Sequence, residues 1–336
     1  MGKLRYGVTG LKKALVMGGT EFVGMAILKG LISKGYQVDF LTRGIKKVFI
    51  QGYNKHYICD RKNENEIKKC LSGIEYDYIF DISAYSRKDV EILLKSVKLS
   101  RITRYCFLSS GAVYTMSKNY LYENSERGTN PNWGMYGLDK KEAEDYLFNL
   151  SKSNGFPMVI FRPSYIYGEG NNLYRESYFF HRILNNQPIP IPNTGKKTQF
   201  IHINDVVDII LDSITNDKTV GEAYNLTHPS EFEWIEFVEI IQKIVSKQTT
   251  ILSVSQEDMN NLNITPRQFF PFRDITYLMD INKLKEHNLI LPRINIEEGL
   301  QASFDWFLQQ NVKEQFDCMK ELRRVTNYCL QKNDFL

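Results

Sequence analysis

The fold is decided by the stretch Ala14-Leu15-Val16-Met17-Gly18-Gly19-Thr20-Glu21-Phe22-Val23-Gly24. Its four apolar residues, 14–17, predict a buried strand, and the two glycines that follow predict a tight turn into a helix. Glycine tolerates positive φ, and a helix that begins at such a turn presents free N–H groups to a phosphate. The stretch therefore predicts the pyrophosphate site of a dinucleotide-binding fold. The residues assigned to this site are Gly18, Gly19, Thr20, Phe22, Val23 and Gly24.

Strand and helix patterns continue to alternate after this stretch. Short apolar or β-branched runs, typical of strands, lie at 37–41, 55–59, 78–81, 104–108 and 158–161. Segments with helical spacing separate them, at 22–34, 65–71, 87–100 and 138–153. Such alternation predicts an α/β fold, a doubly wound parallel Rossmann sheet whose two faces are covered by right-handed crossovers.

The second half of the chain has a different organisation. After Arg162-Pro163 the regular alternation ends, and strand patterns at 200–203 and 223–226 are mixed with helical patterns at 231–247 and 296–310. We expect an NAD(P)-binding Rossmann domain of residues 12–166 plus 196–226 and a smaller substrate-binding domain of 167–195 plus 227–336. Residues 312–336 form a candidate amphipathic helix that packs on the body or on a partner subunit.

Composition excludes several classes of protein. The 336 residues are 43% hydrophobic and 24% charged, which excludes disordered and collagen-like chains. A net charge of +4 is too small for a dedicated nucleic-acid binder, so nucleic acid is not an expected partner. The five cysteines form no C-x-x-C pair, so neither a zinc site nor a disulfide framework is expected, and a cytoplasmic setting fits. No run approaches the roughly 18 apolar residues of a membrane span, and we expect no membrane partner.

Three further motifs accompany the glycine loop: 109–114 (Ser-Ser-Gly-Ala-Val-Tyr), 136–140 (Tyr-Gly-Leu-Asp-Lys) and 162–168 (Arg-Pro-Ser-Tyr-Ile-Tyr-Gly). In this order they resemble the extended short-chain dehydrogenase/reductases, in particular the NAD-dependent epimerase/dehydratase family, over about residues 13–307. The family loop reads G-x-x-G-x-x-G, and Glu21 takes the place of its middle glycine. The sequence of this loop is similar to that of an atypical branch that includes chloroplast stem-loop RNA-binding proteins.

The resemblance implies NAD or NADP as the cofactor. An acidic residue at the end of the second strand is typical of NAD sites, whereas basic residues there are typical of NADP sites. Thr42 takes the acidic place and Arg43 follows it, which slightly favours NADP. The other residues that the resemblance assigns to the cofactor are Asp60, Ser83, Ala84, Pro163 and Tyr165.

A candidate catalytic set lies in two of the motifs. Tyr136 and Lys140 are four residues apart on a predicted helix and therefore project from one face. A neighbouring ammonium lowers the pKa of a phenol, ordinarily about 10, toward the neutral range. The resemblance implies that Tyr136 takes the substrate's hydroxyl proton while hydride passes to the nicotinamide. It also implies that Lys140 tunes Tyr136 and holds the ribose, and that Ser110 positions the reacting oxygen.

The sequence motifs for substrate binding are less specific than those for the cofactor. Gly111 and Ala112 stand where sugar-nucleotide dehydratases of the family carry an Asp-Glu pair, so water elimination lacks its proton carriers. Arg273 resembles the arginine that clamps a substrate pyrophosphate, with a structural salt bridge as the alternative. The segment 198–202 (Thr-Gln-Phe-Ile-His) falls where many of these enzymes have an arginine-containing version. Asn172 belongs to a loop predicted to cover the substrate, with a solvated loop as the alternative.

Two functional hypotheses follow. The first is an NAD(P)-dependent epimerase or reductase that acts on a nucleotide-sugar-like or polyol substrate, assembled as a homodimer through the Tyr136 helix as the family implies. The second is an RNA-binding protein, or a non-catalytic NAD(P)-binding regulatory protein, on the same scaffold. The intact set of Ser110, Tyr136 and Lys140 argues against the second, because a pure binding module has no chemical need for it.

Overall fold

The computed structural model describes residues 11–310, 312–313 and 319–333. Its strands are β1 (Lys13–Met17), β2 (Gln37–Thr42), β3 (Lys55–Ile58), β4 (Tyr78–Asp81), β5 (Arg104–Leu108), β6 (Met158–Pro163), β7 (Tyr165–Tyr167), β8 (Ile189–Pro192), β9 (Phe200–His202), β10 (Glu222–Leu226) and β11 (Ile251–Val254). Its helices are α1 (Phe22–Ser33), α2 (Glu64–Leu71), α3 (Arg87–Leu94), α4 (Met135–Asn154), α5 (Glu176–Leu184), α6 (Ile203–Ser213), α7 (Trp234–Val245), α8 (Gln256–Leu262), α9 (Asn282–Glu286), α10 (Ile296–Gln310) and α11 (Leu322–Asn333).

Seven strands form one central sheet in the order β10-β6-β5-β4-β1-β2-β3. The pairs from β3 to β6 run parallel, and the register sets Met17 of β1 beside Leu41 of β2 and Asp81 of β4. The doubly wound α/β fold predicted from the sequence is therefore confirmed. The strand order reverses between β1 and β4, and in such sheets ligands bind outside the carboxyl ends of the strands at this point.

Residue contacts divide the chain into two compact units. The first, here called the sheet unit, contains the described residues up to Ser109 together with Asp139–Phe161 and Ile210–Ala223. The second, here called the aromatic unit, contains Ser110–Leu138, Arg162–Ile209 and the described residues from Tyr224 onward. The domain boundaries expected from the sequence differ in detail from this division and stay a prediction.

Each unit has its own core. In the sheet unit, buried strands β1, β4 and β5 pack with apolar residues of the covering helices, among them Ile67, Val90 and Leu147. The core of the aromatic unit is rich in rings that meet edge to face or stacked, and stacked pairs include Phe200 with Phe237 at 4.6 Å and Trp234 with Phe272 at 5.0 Å between centroids. The high aromatic content of the chain thus serves packing in the aromatic unit.

Two predicted helices differ in length from the observed ones. The pattern at 87–100 predicted a single helix, but α3 ends at Leu94, and beyond it the Ser96 N–H donates to the Leu93 carbonyl three residues back, which departs from the α-helical pattern. Of the candidate helix at 312–336, α11 is observed, and its buried Leu322 and Val325 belong to the aromatic core. Residues 311, 314–318 and 334–336 lie outside the described residues.

Two features are absent from the described residues. None of the helices in the described part of the chain has the length and apolar character needed to cross a membrane. Likewise, no group of three or more His, Cys, Asp or Glu side chains among those residues could hold a metal ion.

Candidate functional site

The glycine loop between β1 and α1 is a cradle of backbone groups. Gly18 adopts φ of +89°, and its N–H donates to the Leu41 carbonyl at 2.9 Å, which ties the loop to β2. A Cβ on Gly24 would lie 3.1 Å from the carbonyl carbon of Gly18 and the nitrogen of Gly19. The first turn of α1 therefore rests directly on the loop, as only a glycine allows. The free N–H groups of this turn fit the pyrophosphate of a dinucleotide.

Glu21, at the place of the family's middle glycine, forms an ion pair. Its carboxylate contacts the ammonium of Lys46, and both side chains are exposed. An exposed pair of this kind leaves little net charge to act on a neighbouring anion. The departure from the glycine pattern is thus accommodated at the surface of the sheet unit.

Ser83, a predicted cofactor residue, is held beneath the glycine loop by Arg61, which is not among the site residues predicted from the sequence. A Cβ on Gly18 would lie 3.2 Å from the Cβ of Ser83. Buried Arg61 donates to Asp81 Oδ1 at 2.6 Å and to Ser83 Oγ at 2.9 Å. The residue predicted to contact the cofactor is not Arg61 but its neighbour Asp60, whose exposed carboxylate accepts the Lys62 N–H at 2.9 Å. The only signal for Arg61 in the sequence is a charged residue directly after a strand.

The end of β2, where NAD and NADP sites differ, carries a hydroxyl and a guanidinium. The Thr42 hydroxyl bonds to Nε2 of His56 at 2.7 Å and accepts the Gly44 N–H at 3.2 Å. The His56 ring stacks on Phe40 with 4.2 Å between centroids. The side chain of Arg43 is exposed. A basic group is therefore available at the place where a ribose or its 2′-phosphate binds in such folds.

Lys140 is buried in the sheet unit and ties together the ends of two strands. Its ammonium donates to the carbonyls of Ala84 and Leu108, both at 2.6 Å, and these residues follow β4 and end β5. Burial lowers the pKa of Lys140 to about 8, opposed mainly by the negative charge of Asp81. An ammonium has three donors, so the third N–H is left for a ligand such as a ribose hydroxyl.

Ser110 and Tyr136 belong to the aromatic unit, where two backbone segments meet closely. Ser110 opens a short 3₁₀ turn at 111–113, and its Oγ accepts the Ala112 N–H at 3.2 Å. A Cβ on Gly137 would lie 2.2 Å from the Ala112 carbonyl oxygen, so the first turn of α4 rests on this 3₁₀ turn. Tyr136, one residue earlier, is 38% exposed and stands one helical turn before Lys140 on α4. Their predicted catalytic roles stay a prediction.

Three arginines of the aromatic unit share one neighbourhood of rings. The Arg273 guanidinium lies 4.4 Å from the Trp133 ring and donates to the Asn132 carbonyl. The Arg175 guanidinium lies 5.2 Å from the Tyr165 ring, which is 6.3 Å from Trp133. Arg267, whose charge acts on both, donates to the Pro271 carbonyl at 2.6 Å.

This set has the character of an anion site. Burial lowers the pKa of Arg175 and of Arg273, and the positive charge of Arg267 lowers both further. No carboxylate of the described chain lies within 4.0 Å of any of the three guanidinium groups. Arginine forks bind phosphates and carboxylates, which would relieve this repulsion. Of the three, only Arg273 is among the residues predicted from the sequence to bind a phosphate.

The remaining predicted residues are placed as follows. Tyr165 lies in the aromatic unit, with its hydroxyl donating to the Arg273 carbonyl at 3.3 Å, and the Pro163 carbonyl is 3.5 Å from the Tyr277 hydroxyl. Asn172 is exposed, and the Thr198 hydroxyl is buried without a hydrogen-bond partner. A cavity of about 490 Å³ opens in the aromatic unit, lined among others by Gly111, Asn132, Trp133, Lys196 and Tyr277.

Comparison with known proteins gives consistent matches. The model of the NAD dependent epimerase/dehydratase family matches residues 14–227, more than half of the chain. The chain is 29% identical over 320 residues to the chloroplast stem-loop binding protein of 41 kDa b of Arabidopsis thaliana, a match that covers 90% of this chain and 81% of that protein.

Solved structures share the fold at lower identity. The UDP-glucose 4-epimerase of Thermotoga maritima, solved with UDP-glucose, superposes with a TM-score of 0.74 at 18% identity over 89% of this chain and 100% of that one. The dTDP-glucose 4,6-dehydratase of Bacillus anthracis, solved with NAD, gives a TM-score of 0.73 at 18% identity over 89% and 97% of the two chains.

Proposed function

Because this chain belongs to the NAD-dependent epimerase/dehydratase family of extended short-chain dehydrogenase/reductases, we propose that it is an NAD(P)-dependent epimerase or oxidoreductase of a nucleotide sugar. The observation that carries the proposal is the position of Lys140. Its buried ammonium, with one N–H left over, follows Tyr136 by one turn of α4. A cation so placed lowers the pKa of the phenol, which then accepts a proton near neutral pH.

The cofactor is the part of the proposal that the loop geometry supports most directly. The cradle at 18–24 holds the pyrophosphate and Lys140 holds the nicotinamide ribose. When bound, the nicotinamide ring accepts a hydride from a substrate carbon and can return it. The homologous fold of an NAD-bound dehydratase supports NAD(H), whereas exposed Arg43 beside Thr42 favours NADP(H). In this reading the domain of 12–166 plus 196–226 binds the cofactor and the remainder binds the substrate.

The substrate class follows from the arginines of the aromatic unit. A nucleotide sugar carries a diphosphate, and Arg273 is proposed to bind it. Arg175 supplies a second guanidinium to the same ring neighbourhood, which offsets the arginine that is missing from the segment 198–202. A bidentate arginine contact to a phosphate is worth more than a neutral hydrogen bond. Asn172 is proposed to contact the same ligand from the exposed loop.

The proposed chemistry begins at a sugar hydroxyl. Tyr136 takes the hydroxyl proton as the carbon loses its hydride, and Ser110 contacts the oxygen that becomes a carbonyl. A nicotinamide held by the 18–24 loop and Lys140 would supply the hydride chemistry, for epimerisation if the hydride were returned to the opposite face of the sugar carbon or for simple oxidation if the ketone were released. Gly111 and Ala112 provide no acid for the loss of water, so elimination is disfavoured.

The test uses the purified full chain. Mass spectrometry after denaturation identifies the nucleotide that copurifies, and a 2′-phosphate on it would support the role given to Arg43. The chain is then incubated with NAD⁺ or NADP⁺ and with UDP-glucose, UDP-galactose, UDP-N-acetylglucosamine or UDP-glucuronate, and the products are separated by chromatography. We expect Tyr136→Phe to lower turnover by about 10²–10⁴-fold, the usual contribution of a general base.

The matched control is Tyr36→Phe, which removes a phenol oxygen in the sheet unit where the ring packs edge to face against Tyr78. It should retain full turnover. Equal turnover of Tyr136→Phe and the wild type would remove Tyr136 from the mechanism. We also propose that the chain forms a homodimer through α4, which sedimentation equilibrium tests directly.

The second candidate, RNA binding, is favoured by the similarity to the stem-loop binding protein of Arabidopsis thaliana. Filter binding with a stem-loop RNA, set beside a fluorescence titration with NADH and NADPH, separates the two functions. Tight, salt-sensitive RNA binding without any cofactor signal would replace the enzymatic proposal. Cofactor binding without turnover of any sugar nucleotide would favour a regulatory NAD(P)-binding protein.

A further inference from the structure

Arg61 is a buried arginine of the sheet unit whose guanidinium contacts the turn that follows β4. Its Nη1 donates to Asp81 Oδ1 at 2.6 Å and to Ser83 Oγ at 2.9 Å. Its Nη2 donates to Asp81 Oδ2 at 3.1 Å and to the Asp89 carbonyl at 3.0 Å. A guanidinium that binds both oxygens of a carboxylate has a fixed position and a fixed plane. Arg61 therefore holds the Ser83 hydroxyl at a defined point.

The backbone of residues 83–86, here called the β4 turn, has hydrogen bonds of its own. The Ala84 N–H donates to Asp81 Oδ1 at 3.2 Å, and the Ala84 carbonyl accepts the Lys140 ammonium at 2.6 Å. Asp89 Oδ2 accepts the next two N–H groups of the turn, at 2.9 and 3.0 Å. The turn that carries the Ser83 hydroxyl is thus fixed through its backbone, and it also anchors the ammonium that is a candidate for the cofactor ribose.

Ser83 and the glycine loop lie together at the point where the strand order reverses. Gly18 follows β1 directly, and Ser83 follows β4 after one residue. A Cβ on Gly18 would lie 3.2 Å from the Cβ of Ser83 and 3.5 Å from its Oγ, so the loop and this side chain are neighbours. In open α/β sheets ligands bind at this point, outside the carboxyl ends of the strands. The Ser83 hydroxyl therefore borders the place where the loop is proposed to hold a pyrophosphate.

The direction of the hydrogen bond between Arg61 and Ser83 is fixed by chemistry. A guanidinium has no acceptor, so the bond runs from Nη1 to Oγ, and the hydroxyl keeps its own proton for another partner. Within the described part of the chain, Ser83 donates that proton to no acceptor. A phosphate oxygen only accepts hydrogen bonds, and a hydroxyl that already accepts from a cation is polarised into a better donor.

We propose that Arg61 is a positioning residue for the cofactor, which holds the Ser83 hydroxyl as a hydrogen-bond donor to the pyrophosphate at the 18–24 loop. The proposal rests on the proposed function, in which a dinucleotide binds at that loop. The positive charge of Arg61 is paired with Asp81, so the arginine acts on the phosphate through the hydroxyl and not as a free cation. Recognition of the phosphate at this point is therefore by a neutral donor of fixed orientation.

The role of Arg61 is tested by fluorescence titration of the full chain with NADH and NADPH. Ser83→Ala should weaken binding of the preferred cofactor about tenfold, because a hydrogen bond to a charged phosphate is lost. Arg61→Lys keeps the charge beside Asp81 but not the planar fork that also reaches Ser83, so it should weaken binding about fivefold. In the Ser83→Ala background, Arg61→Lys should cost less than about twofold, since both act through one hydroxyl. A purely structural role would leave the two losses multiplicative, and that result would overturn the proposal.

The matched control is Arg101→Lys, which makes the same change in another arginine of the sheet unit that binds a buried aspartate. Arg101 donates to both oxygens of Asp77 at 3.1 Å, and Asp77 also accepts the Lys13 N–H, at the opposite end of β1 from the glycine loop. This variant should bind the cofactor as the wild type does, and a loss equal to that of Arg61→Lys would overturn the proposal. If Arg61→Lys does not fold, Arg61→Met combined with Asp81→Asn removes both charges and takes its place.

The partner of the Ser83 proton is tested by ³¹P NMR of the bound cofactor, at concentrations that saturate both the wild type and Ser83→Ala. Loss of the hydrogen bond should move a pyrophosphate resonance in Ser83→Ala. The Arg101→Lys complex should give the wild-type spectrum. Pyrophosphate resonances that are the same in Ser83→Ala and the wild type would show that the hydroxyl donates to no phosphate, and would overturn the proposal.

The outcomes separate the two levels of inference. If the wild-type chain binds neither NADH nor NADPH, the proposed function fails and the role of Arg61 fails with it. If the wild type binds a cofactor and the losses in Arg61→Lys and Ser83→Ala multiply, the cofactor site stands and only the role of Arg61 is overturned. Coupled losses together with a shifted pyrophosphate resonance support both.

Discussion

The sheet unit and the aromatic unit present their candidate ligand groups in different ways. In the sheet unit the groups are mostly backbone N–H groups of the 18–24 loop, together with one ammonium, Lys140, which is anchored to two carbonyls. In the aromatic unit they are long side chains laid on rings, such as Arg175 on Tyr165 and Arg273 on Trp133. A backbone cradle recognises a common phosphate, whereas side chains on a ring platform are free to vary with the substrate.

The two units also differ in how their charged side chains are paired. In the sheet unit, Arg61 pairs with Asp81 and Lys46 with Glu21. In the aromatic unit, the charge of Arg267 lowers the pKa of Arg175 and of Arg273, and Glu176 opposes this at Arg175, although none of the three guanidinium groups has a carboxylate of the described chain within 4.0 Å. An anion bound among these three arginines would relieve their mutual repulsion.

The largest effect is expected from breaking the backbone cradle. Gly24→Val places a branched side chain against Gly18 and Gly19, so affinity for NADH or NADPH should fall by about 100-fold, or about 2.7 kcal/mol. Fluorescence titration of the reduced cofactor measures the loss. Ala26→Val, two residues later on α1, is the control for the lower helix propensity of a β-branched residue and should bind the cofactor normally. Equal losses in both variants would show that the loop is not the binding element.

The next effect concerns pH. The pKa of Lys140 is lowered by burial to about 8, so its ammonium loses its charge as pH rises through that value. If the charge lowers the pKa of Tyr136, turnover should decline above about pH 8 by up to about tenfold per unit. The pH dependence of kcat/KM measures the decline, and a flat profile to pH 10 would contradict the role.

The free energy of unfolding should increase with pH, whereas turnover is expected to decrease. Between about pH 8 and the ordinary lysine value of about 10.4, the unfolded chain binds the proton of Lys140 and the folded chain does not. The Lys140 contribution to the free energy of unfolding therefore increases with pH across this window. Lys140→Met should remove that slope in urea unfolding.

A smaller effect is expected on the substrate side. Arg175→Gln should weaken the binding of UDP by about tenfold, or about 1.4 kcal/mol, and leave NAD(P)H affinity unchanged. Isothermal titration calorimetry measures both. Arg293→Gln makes the same charge change at an exposed residue paired with Asp208 and should leave UDP binding intact. A loss of cofactor affinity in Arg175→Gln would mean that the two regions are not independent.

The smallest effect is expected at the unusual residue of the loop. Glu21→Gly restores the family's middle glycine, but the Glu21 charge is already offset by Lys46 at the surface. Exposed ion pairs are worth little, so NADH and NADPH affinity should change less than about threefold. Tightening by tenfold or more would show that the carboxylate does oppose the pyrophosphate.

The sheet unit and the aromatic unit differ in how much of each could be predicted from the sequence. The difference depends on whether a feature follows from neighbouring residues along the chain or from contacts in the folded protein. Strand, glycine loop and helix at 14–34 follow one another along the chain, so residue pattern alone predicts them. The end of α3 was missed because the chain leaves the helix after Leu94, where the Ser96 N–H donates to the Leu93 carbonyl three residues back, a change that periodicity does not encode. Arg61 was missed because its importance comes from contacts with Asp81 and Ser83 rather than from a motif.

By itself the sequence determined the doubly wound α/β fold and the family, because both depend on local periodicity and on motifs that keep their order. It also singled out Ser110, Tyr136 and Lys140 as candidates. Tertiary structure alone decided that Tyr277 fills the side-chain space of Gly111 and that Arg175 shares a ring neighbourhood with Arg273. Gly111 and Tyr277 are separated by more than 160 positions, and such contacts arise from the packing of whole elements, which no pattern within either segment records.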